Sequence, residues 1–233
     1  MQTIGLIGGM SWESSLEYYR VINQRVKERL GGLHSAKIIL YSVDFAEIEE
    51  LQRLERWDEA GKIMANAAIS LEKAGADVLL IATNTMHKLA NFITEVTNLP
   101  LLHIADATAK QIQQDKIHKV ALLGTKFTME QDFYKGRLVE RFGLEVITPD
   151  ESDREFIHKV IYNELCQGVI LDSSKAKYLE IIAKLERDGA DGIILGCTEI
   201  ELLIQADDCA VKLYPTAKIH AEAAVDYALG LAI

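Results

Sequence analysis

The sequence predicts an α/β fold of two pseudo-symmetric lobes, each a parallel sheet flanked by helices, with an active site in the cleft between them. Three observations carry this expectation. Short apolar runs alternate with longer segments of helical periodicity; a block of sequence recurs once along the chain; and no Gly/Ser linker, low-complexity stretch or long charge run interrupts it.

The runs at 4–7, 38–43, 78–82, 101–104, 120–123, 146–147, 193–195 and 211–214 are short, β-branched or leucine-rich and bounded by turn residues, which predicts buried strands. Between them, residues 14–28, 57–73, 129–141, 151–166 and 174–187 carry apolar side chains at three- and four-residue spacing with charges between, which predicts helices. Strands alternating with helices imply parallel pairing through helical crossovers.

The repeat is more informative than either pattern. Residues 71–77 read LEKAGAD and continue VLLIATNT to Thr85, while residues 185–191 read LERDGAD and continue GIILGCTE to Glu199. The offset is constant at 114 (189 minus 75, 197 minus 83). IGLIG at 4–8 against VALLG at 120–124, and TAK at 108–110 against TAK at 216–218, keep the same order. A helix, a Gly-Ala-Asp turn, a buried strand and a polar strand end, all in register, imply two homologous half-units. We place the first lobe at 1–105 and 210–233 and the second at 106–209. Ligands of open parallel sheets sit beyond the carboxyl ends of the strands, so Thr83 and Cys197 are expected as equivalent partners across a shared cleft.

Composition narrows the partners. A hydrophobic share of 49% allows a sizeable core, and a net charge of -10 opposes nucleic acid or an anionic membrane as the main partner. The opening MQTIGLIGGM lacks the basic n-region and cleavage site of a secretory signal, and no apolar run approaches the length of a membrane span. Three cysteines, Cys166, Cys197 and Cys209, fit a reducing compartment better than a disulfide scaffold, so we expect a cytoplasmic protein acting on a small molecule.

Cys197 has two readings, a small buried hydrophobe or a reactive thiol. Gly196 keeps the strand end uncrowded, and Thr198 and Glu199 resemble a strand-to-helix junction, where backbone N–H groups and the helix dipole favour a thiolate. Cys166, in an amphipathic stretch, and Cys209, in a polar loop, are assigned to packing and surface. The six histidines show no His-x-x-x-His spacing and the cysteines no Cys-x-x-Cys, so no metal is expected. GLIGGM after Ile4 lacks the G-x-G-x-x-G order of a dinucleotide fingerprint and the Lys of a phosphate loop. An anion-binding turn with Ser11 as a helix N-cap fits it better, and no cofactor is expected.

Gly8-Gly9-Met10, then Thr83-Asn84-Thr85-Met86-His87, Gly124-Thr125 with Thr128, and Gly196-Cys197-Thr198-Glu199, in that order in a duplicated chain, resemble the cofactor-independent aspartate/glutamate racemase family. The resemblance spans nearly the whole chain and is nearest to the bacterial L-aspartate/glutamate-specific branch, which has Thr in place of the first cysteine. It implies α-proton removal by one cysteine and proton delivery from the other face, an amino-acid substrate, and a homodimer. It also implies that Asn84, Thr85, Thr125, Thr128 and Thr198, with backbone N–H groups near Met10 and Ser11, grip the α-carboxylate and amino group. Each of these threonines can equally be a helix cap or turn residue.

The departures matter. The family's Arg after the second strand and Lys in the second half fall here near residues 47–48 and at Cys166. Gln52 and Arg53 could take over, with Lys126 and Lys159 as weaker candidates; each is also an ordinary solvated position. At Thr83 a hydroxyl is too weak an acid to serve as a base, which leaves Cys197 as the base, with Thr83 or a water held by it returning the proton. The family places the second-half cysteine on the L enantiomer, which implies L-aspartate or L-glutamate as starting material. Hydantoin racemases, maleate isomerases and arylmalonate decarboxylases share this scaffold and stay open as readings, as does a non-catalytic amino-acid binder.

Overall fold

The structure, a computed structural model, describes residues 1–231. It divides into two compact units, Met1–Ile104 with the segment from His220 onward, and Ala105–Ile219. The first unit runs β1 (Ile4–Gly8), α1 (Trp12–Leu30), β2 (Ile38–Ser42), α2 (Phe45–Arg53), α3 (Trp57–Lys73), β3 (Val78–Ile81), a 3-10 turn (Thr85–Leu89) and α4 (Ala90–Thr94). Helix α5 (Ile104–Gln114) opens the second, followed by β4 (Lys119–Gly124), α6 (Lys126–Glu130), α7 (Asp132–Phe142), β5 (Glu145–Ile147) and α8 (Glu151–Asn163). A 3-10 turn (Leu165–Gln167), α9 (Asp172–Arg187), β6 (Gly192–Gly196), α10 (Ile200–Leu203) and β7 (Lys212–Pro215) complete it, and α11 (Thr216–Ala228) leads the chain back to the first.

Each unit is built on its own parallel sheet, ordered β2-β1-β3 in the first and β5-β4-β6-β7 in the second. The central strands are buried along their whole length, as parallel strands covered by crossover helices must be. Ile7, Leu79 and Ile81 join Ile48 and Met64 in one core, and Leu123, Ile193 and Leu195 join Ile157, Tyr178 and Ile181 in the other.

The sequence repeat is a repeat of pairing register. Ile4 faces Val78 and Ile7 faces Ile81 in the first sheet; Val120 faces Gly192 and Leu123 faces Leu195 in the second. These are the pairs that the motifs equate. The helix-start caps recur too, since Ser11 accepts from Ser14 N and Thr125 accepts from Thr128 N, both at 3.3 Å. Even the strand expected at 101–104 has its counterpart. It is reduced to a single parallel bridge, Leu79 with Leu101, where the second unit has the full strand β7 beside β6. Leu79 N donates to Pro100 O and Leu102 N to Leu79 O, after which the chain turns into α5 at Ile104.

Other boundaries moved for identifiable reasons. The helix expected at 129–141 is two, because Gln131 is extended (φ -96, ψ 149). The helix expected to reach 166 stops at Asn163. Because β7 pairs with β6, the chain returns to the first unit at His220 rather than at 210. Among the described residues, no helix is long and apolar enough to cross a membrane.

A buried polar network ties α1 to the returning helix. His220 is fully buried, its Nε2 lies 2.9 Å from Leu102 O, and its Nδ1 lies 2.8 Å from Tyr18 Oη. A carbonyl accepts only, so Nε2 carries the proton and Nδ1 accepts from Tyr18. Burial pushes the His220 pKa down from 6.5 to about 4. The neutral form is the one that folds, so this contribution is intact above the unfolded pKa and is lost as pH falls from about 6.5 towards about 4. We expect acidification through that window to cost about 3 kcal/mol of unfolding free energy through this group, and His220→Gln to flatten the dependence. Urea unfolding of both proteins across the window checks it; equal slopes would remove His220 as the source.

Candidate active site

In the first unit, β1 and β3 end side by side, and their loops carry the expected residues. After Gly8 the chain turns at Gly9, whose φ of 89° and overlap of any Cβ with Val43 O admit only glycine. Ser15 Oγ accepts from Gly9 N (2.8 Å) and donates to Ser11 O (3.1 Å), while Ser11 Oγ caps α1. Met10 and Ser11 are therefore buried in a fixed turn, and Ser11 has the capping role read from the sequence.

Thr83, half-buried, follows β3 and leads into the turn that holds buried Asn84 and Thr85. Its carbonyl is gripped by His87. His87 Nε2 accepts from Ile104 N at 3.2 Å, so Nδ1 carries the proton and donates to Thr83 O at 2.8 Å. His103 stacks on the same ring at 4.5 Å between centroids. Gln52 and Arg53 part company. Gln52 is buried and donates through Nε2 to Met86 Sδ at 3.0 Å, which sets its amide against the turn after Thr83, whereas Arg53 is exposed at the end of α2.

In the second unit, the strand ends approach so closely that both must finish in glycine. A Cβ on Gly124 would lie 2.9 Å from Gly196 O, and one on Gly196 2.7 Å from Leu123 O. Thr125 and Thr128 follow β4, their hydroxyls 3.1 Å apart, with Thr125 capping α6 and Thr128 fully buried. The capping alternative is thus realised for Thr125, while Thr128 supplies the amide it caps. Lys126 and Lys159 both face Glu155, at 3.6 and 3.3 Å.

Cys197 follows β6 at 9% exposure, within a core that includes Tyr178 and Leu165. Its thiol donates to Glu199 Oε2 at 3.0 Å, and Thr198 Oγ1 donates to the same oxygen at 2.7 Å. Glu199 is itself buried. Burial first, then the nearby Glu199 carboxylate and Cys166, raise the Cys197 thiol well above its ordinary pKa. This corrects the expectation of a junction that favours thiolate. Helix α10 is only four residues long, and a buried carboxylate stands where a cation would be needed to stabilise a sulfur anion. Cys166 and Cys209 are half-buried against the same core. Among the described residues, no group of three or more His, Cys, Asp or Glu is placed to hold a metal.

The sequence placed His87 only within a family motif, and Glu199 within a family motif and at a strand-to-helix junction, without the contacts that set them against Thr83 and Cys197. A carboxylate two residues beyond a strand-end cysteine was the available signal for the second.

Comparison with known proteins gives the same outline. The Asp/Glu/Hydantoin racemase family model matches residues 7–224. A candidate Asp/Glu racemase from Yersinia pestis superposes with a TM-score of 0.92 at 60% identity, covering 98% of this chain and 100% of that one. An aspartate racemase homologue from Pyrococcus horikoshii OT3 follows at 0.85 and 37%, covering 98% and 100%. The broad specificity amino-acid racemase RacX of Bacillus subtilis is 27% identical over 147 residues, a match that spans 63% of this chain and 63% of that protein.

The Thr125 cap yields a direct expectation. Thr125→Ala removes one of the few acceptors for the first turn of α6 and should lower unfolding free energy by about 1 kcal/mol. Chemical denaturation measures it, and an unchanged midpoint would assign the hydroxyl to something other than the cap.

Proposed function

Because the chain belongs to the Asp/Glu/hydantoin racemase family, we propose that it racemises an acidic amino acid, L-aspartate or L-glutamate, without a cofactor, using Cys197 as the base that removes the α-proton. One observation supports this more than any other: Thr83 and Cys197 follow equivalent residues of strands paired in identical register, one in each unit. Racemisation needs one proton-handling group on each face of a carbon, and each unit carries one candidate at the same strand end. Two related strand ends that carry different proton-handling residues, Thr83 and Cys197, suit two substrates that differ only in handedness.

Proton transfer by a placed group contributes about 10²- to 10⁴-fold. Most of the remaining barrier lies in the carbanion, whose charge spreads onto the α-carboxylate and is stabilised by donors already aimed at it. Asn84 and Thr85 in the first unit are the proposed donors, Thr198 in the second, whose hydroxyl proton goes to Glu199, offers its oxygen to the amino group, and the turn at Met10 and Ser11 and the Thr125 cap with its partner Thr128 shape the loops around them. For the side-chain carboxylate, the Gln52 amide is the better-placed candidate of the two expected on α2, since Arg53 is exposed. Thr83, or a water it holds, delivers the proton to the opposite face. Since the enantiomers have equal free energy in water, this asymmetry changes rates and never the final ratio.

We take the assembled form to be a homodimer. Trp12, Leu16 and Tyr19 lie exposed along one face of α1, and Leu40 and Tyr41 are exposed on the edge strand β2. Exposed apolar side chains beside an unpaired strand edge are what a symmetric partner covers.

Two measurements test these proposals. A chiral assay over all proteinogenic amino acids should find L-aspartate or L-glutamate fastest, Cys197→Ala inactive, Cys209→Ala active, and Thr83→Cys improved on the D substrate. Equal loss in both cysteine variants, or faster turnover of apolar amino acids, would overturn the assignment. In sedimentation, the wild type should run as a dimer and Trp12→Glu with Leu16→Glu as a monomer; an unaltered dimer would place the interface elsewhere.

A further inference from the structure

The acceptor of the Cys197 thiol proton raises a question that racemisation alone does not answer. A base must be a thiolate, yet this sulfur is buried, protonated and bonded to a carboxylate. Losing its proton to solvent would leave two negative charges 3.0 Å apart in the core of the second unit. Moving the same proton along the existing hydrogen bond leaves one charge on the pair.

We propose that Glu199 is the proton acceptor that converts Cys197 from thiol to thiolate, so that the two side chains act as a single proton-sharing base. The proposal rests on the racemase reading and deepens it. In the resting pair the thiol donates to Glu199 Oε2, and Thr198 Oγ1, donating to the same oxygen at 2.7 Å, holds the carboxylate in line. In the first step the S–H bond breaks and an O–H bond forms on Glu199, giving thiolate and carboxylic acid at constant total charge. In the second, the sulfur lone pair takes the α-proton: the C–H bond breaks, S–H forms, and the electron pair stays on the substrate carbon. The opposite face is then protonated from Thr83 or its water. Glu199 returns its proton to solvent and solvent replaces the one delivered, so the cycle neither gains nor loses protons.

The other titratable groups facing the sulfur do not compete for this role. Tyr178, on α9, commits its hydroxyl to Ile157 O at 3.3 Å, and burial together with the Cys197 charge raises its pKa well above normal. Cys166, in the turn Leu165–Gln167, disfavours the thiolate rather than accepting from it.

The pair predicts a pH signature that a structural carboxylate would not produce. When two groups share one proton, the thiolate fraction is constant between the two macroscopic titrations and does not climb with pH. In the wild type, both kcat/KM for the L substrate and the rate at which iodoacetamide alkylates Cys197 should be flat between about pH 6 and 8. In Glu199→Gln the thiol must titrate alone, so both should rise about tenfold per pH unit through that range, with kcat/KM at pH 7 down about 100-fold. Glu199→Asp, which keeps the carboxyl, should restore the flat profile at reduced rate. Alkylation is read at the Cys197 peptide by mass spectrometry, so it tests the pair even if no amino acid is turned over. A wild-type alkylation rate that rises tenfold per unit would overturn the proposal whether or not Glu199→Gln folds. A flat alkylation profile without any racemisation would uphold the pair and defeat the racemase reading instead.

Discussion

Both units depend on the register in which the first strand of each repeat pairs with the third. A parallel ladder buried on both faces cannot slip by one residue without exchanging the apolar surfaces that its two layers of helices cover. Close approach fixes the register further: a Cβ on Gly5 would lie 2.8 Å from Ala76 Cβ, and Gly124 and Gly196 leave no room for one between them. Whatever follows these strands is delivered to the same place in each unit. That is why a threonine and a cysteine 114 residues apart in the chain occupy equivalent strand ends (197 minus 83).

The central strands were legible because length, β-branching and turn residues agreed, and the duplication was legible because its Gly-Ala-Asp turns are distinctive. The helices at 45–53, 104–114 and 216–228 escaped the sequence reading. The first is short and dense in acids, and the third is alanine-rich, with little contrast between its faces. The run at 101–104 shows what local pattern cannot decide. It has the composition of a strand, but His87 takes the Ile104 amide and turns the chain into a helix after one bridge.

The state of Cys197 was less accessible still. Sequence placed the thiol at a strand end and suggested an environment that favours an anion. Packing reversed the sign, because the helix that should have supplied the dipole is a single turn and the neighbouring side chain folds back onto the sulfur. In a chain of net charge -10, a second negative group in the core is costly, and only atomic placement shows that the first is already there. The candidate donors sort in the same way. Thr125 and Thr128 bond to each other at the start of a helix, and Gln52 and Arg53, adjacent in sequence, lie on the buried and exposed sides of α2.

His87 holds position 83 by its carbonyl oxygen. The backbone there is anchored to the Ile104 amide through the imidazole, whatever the residue carries beyond its Cα. An exchange of one small side chain for another at this half-buried point leaves that backbone anchor in place. Duplicated halves that begin alike can drift apart in side-chain chemistry at such a position without drifting apart in shape.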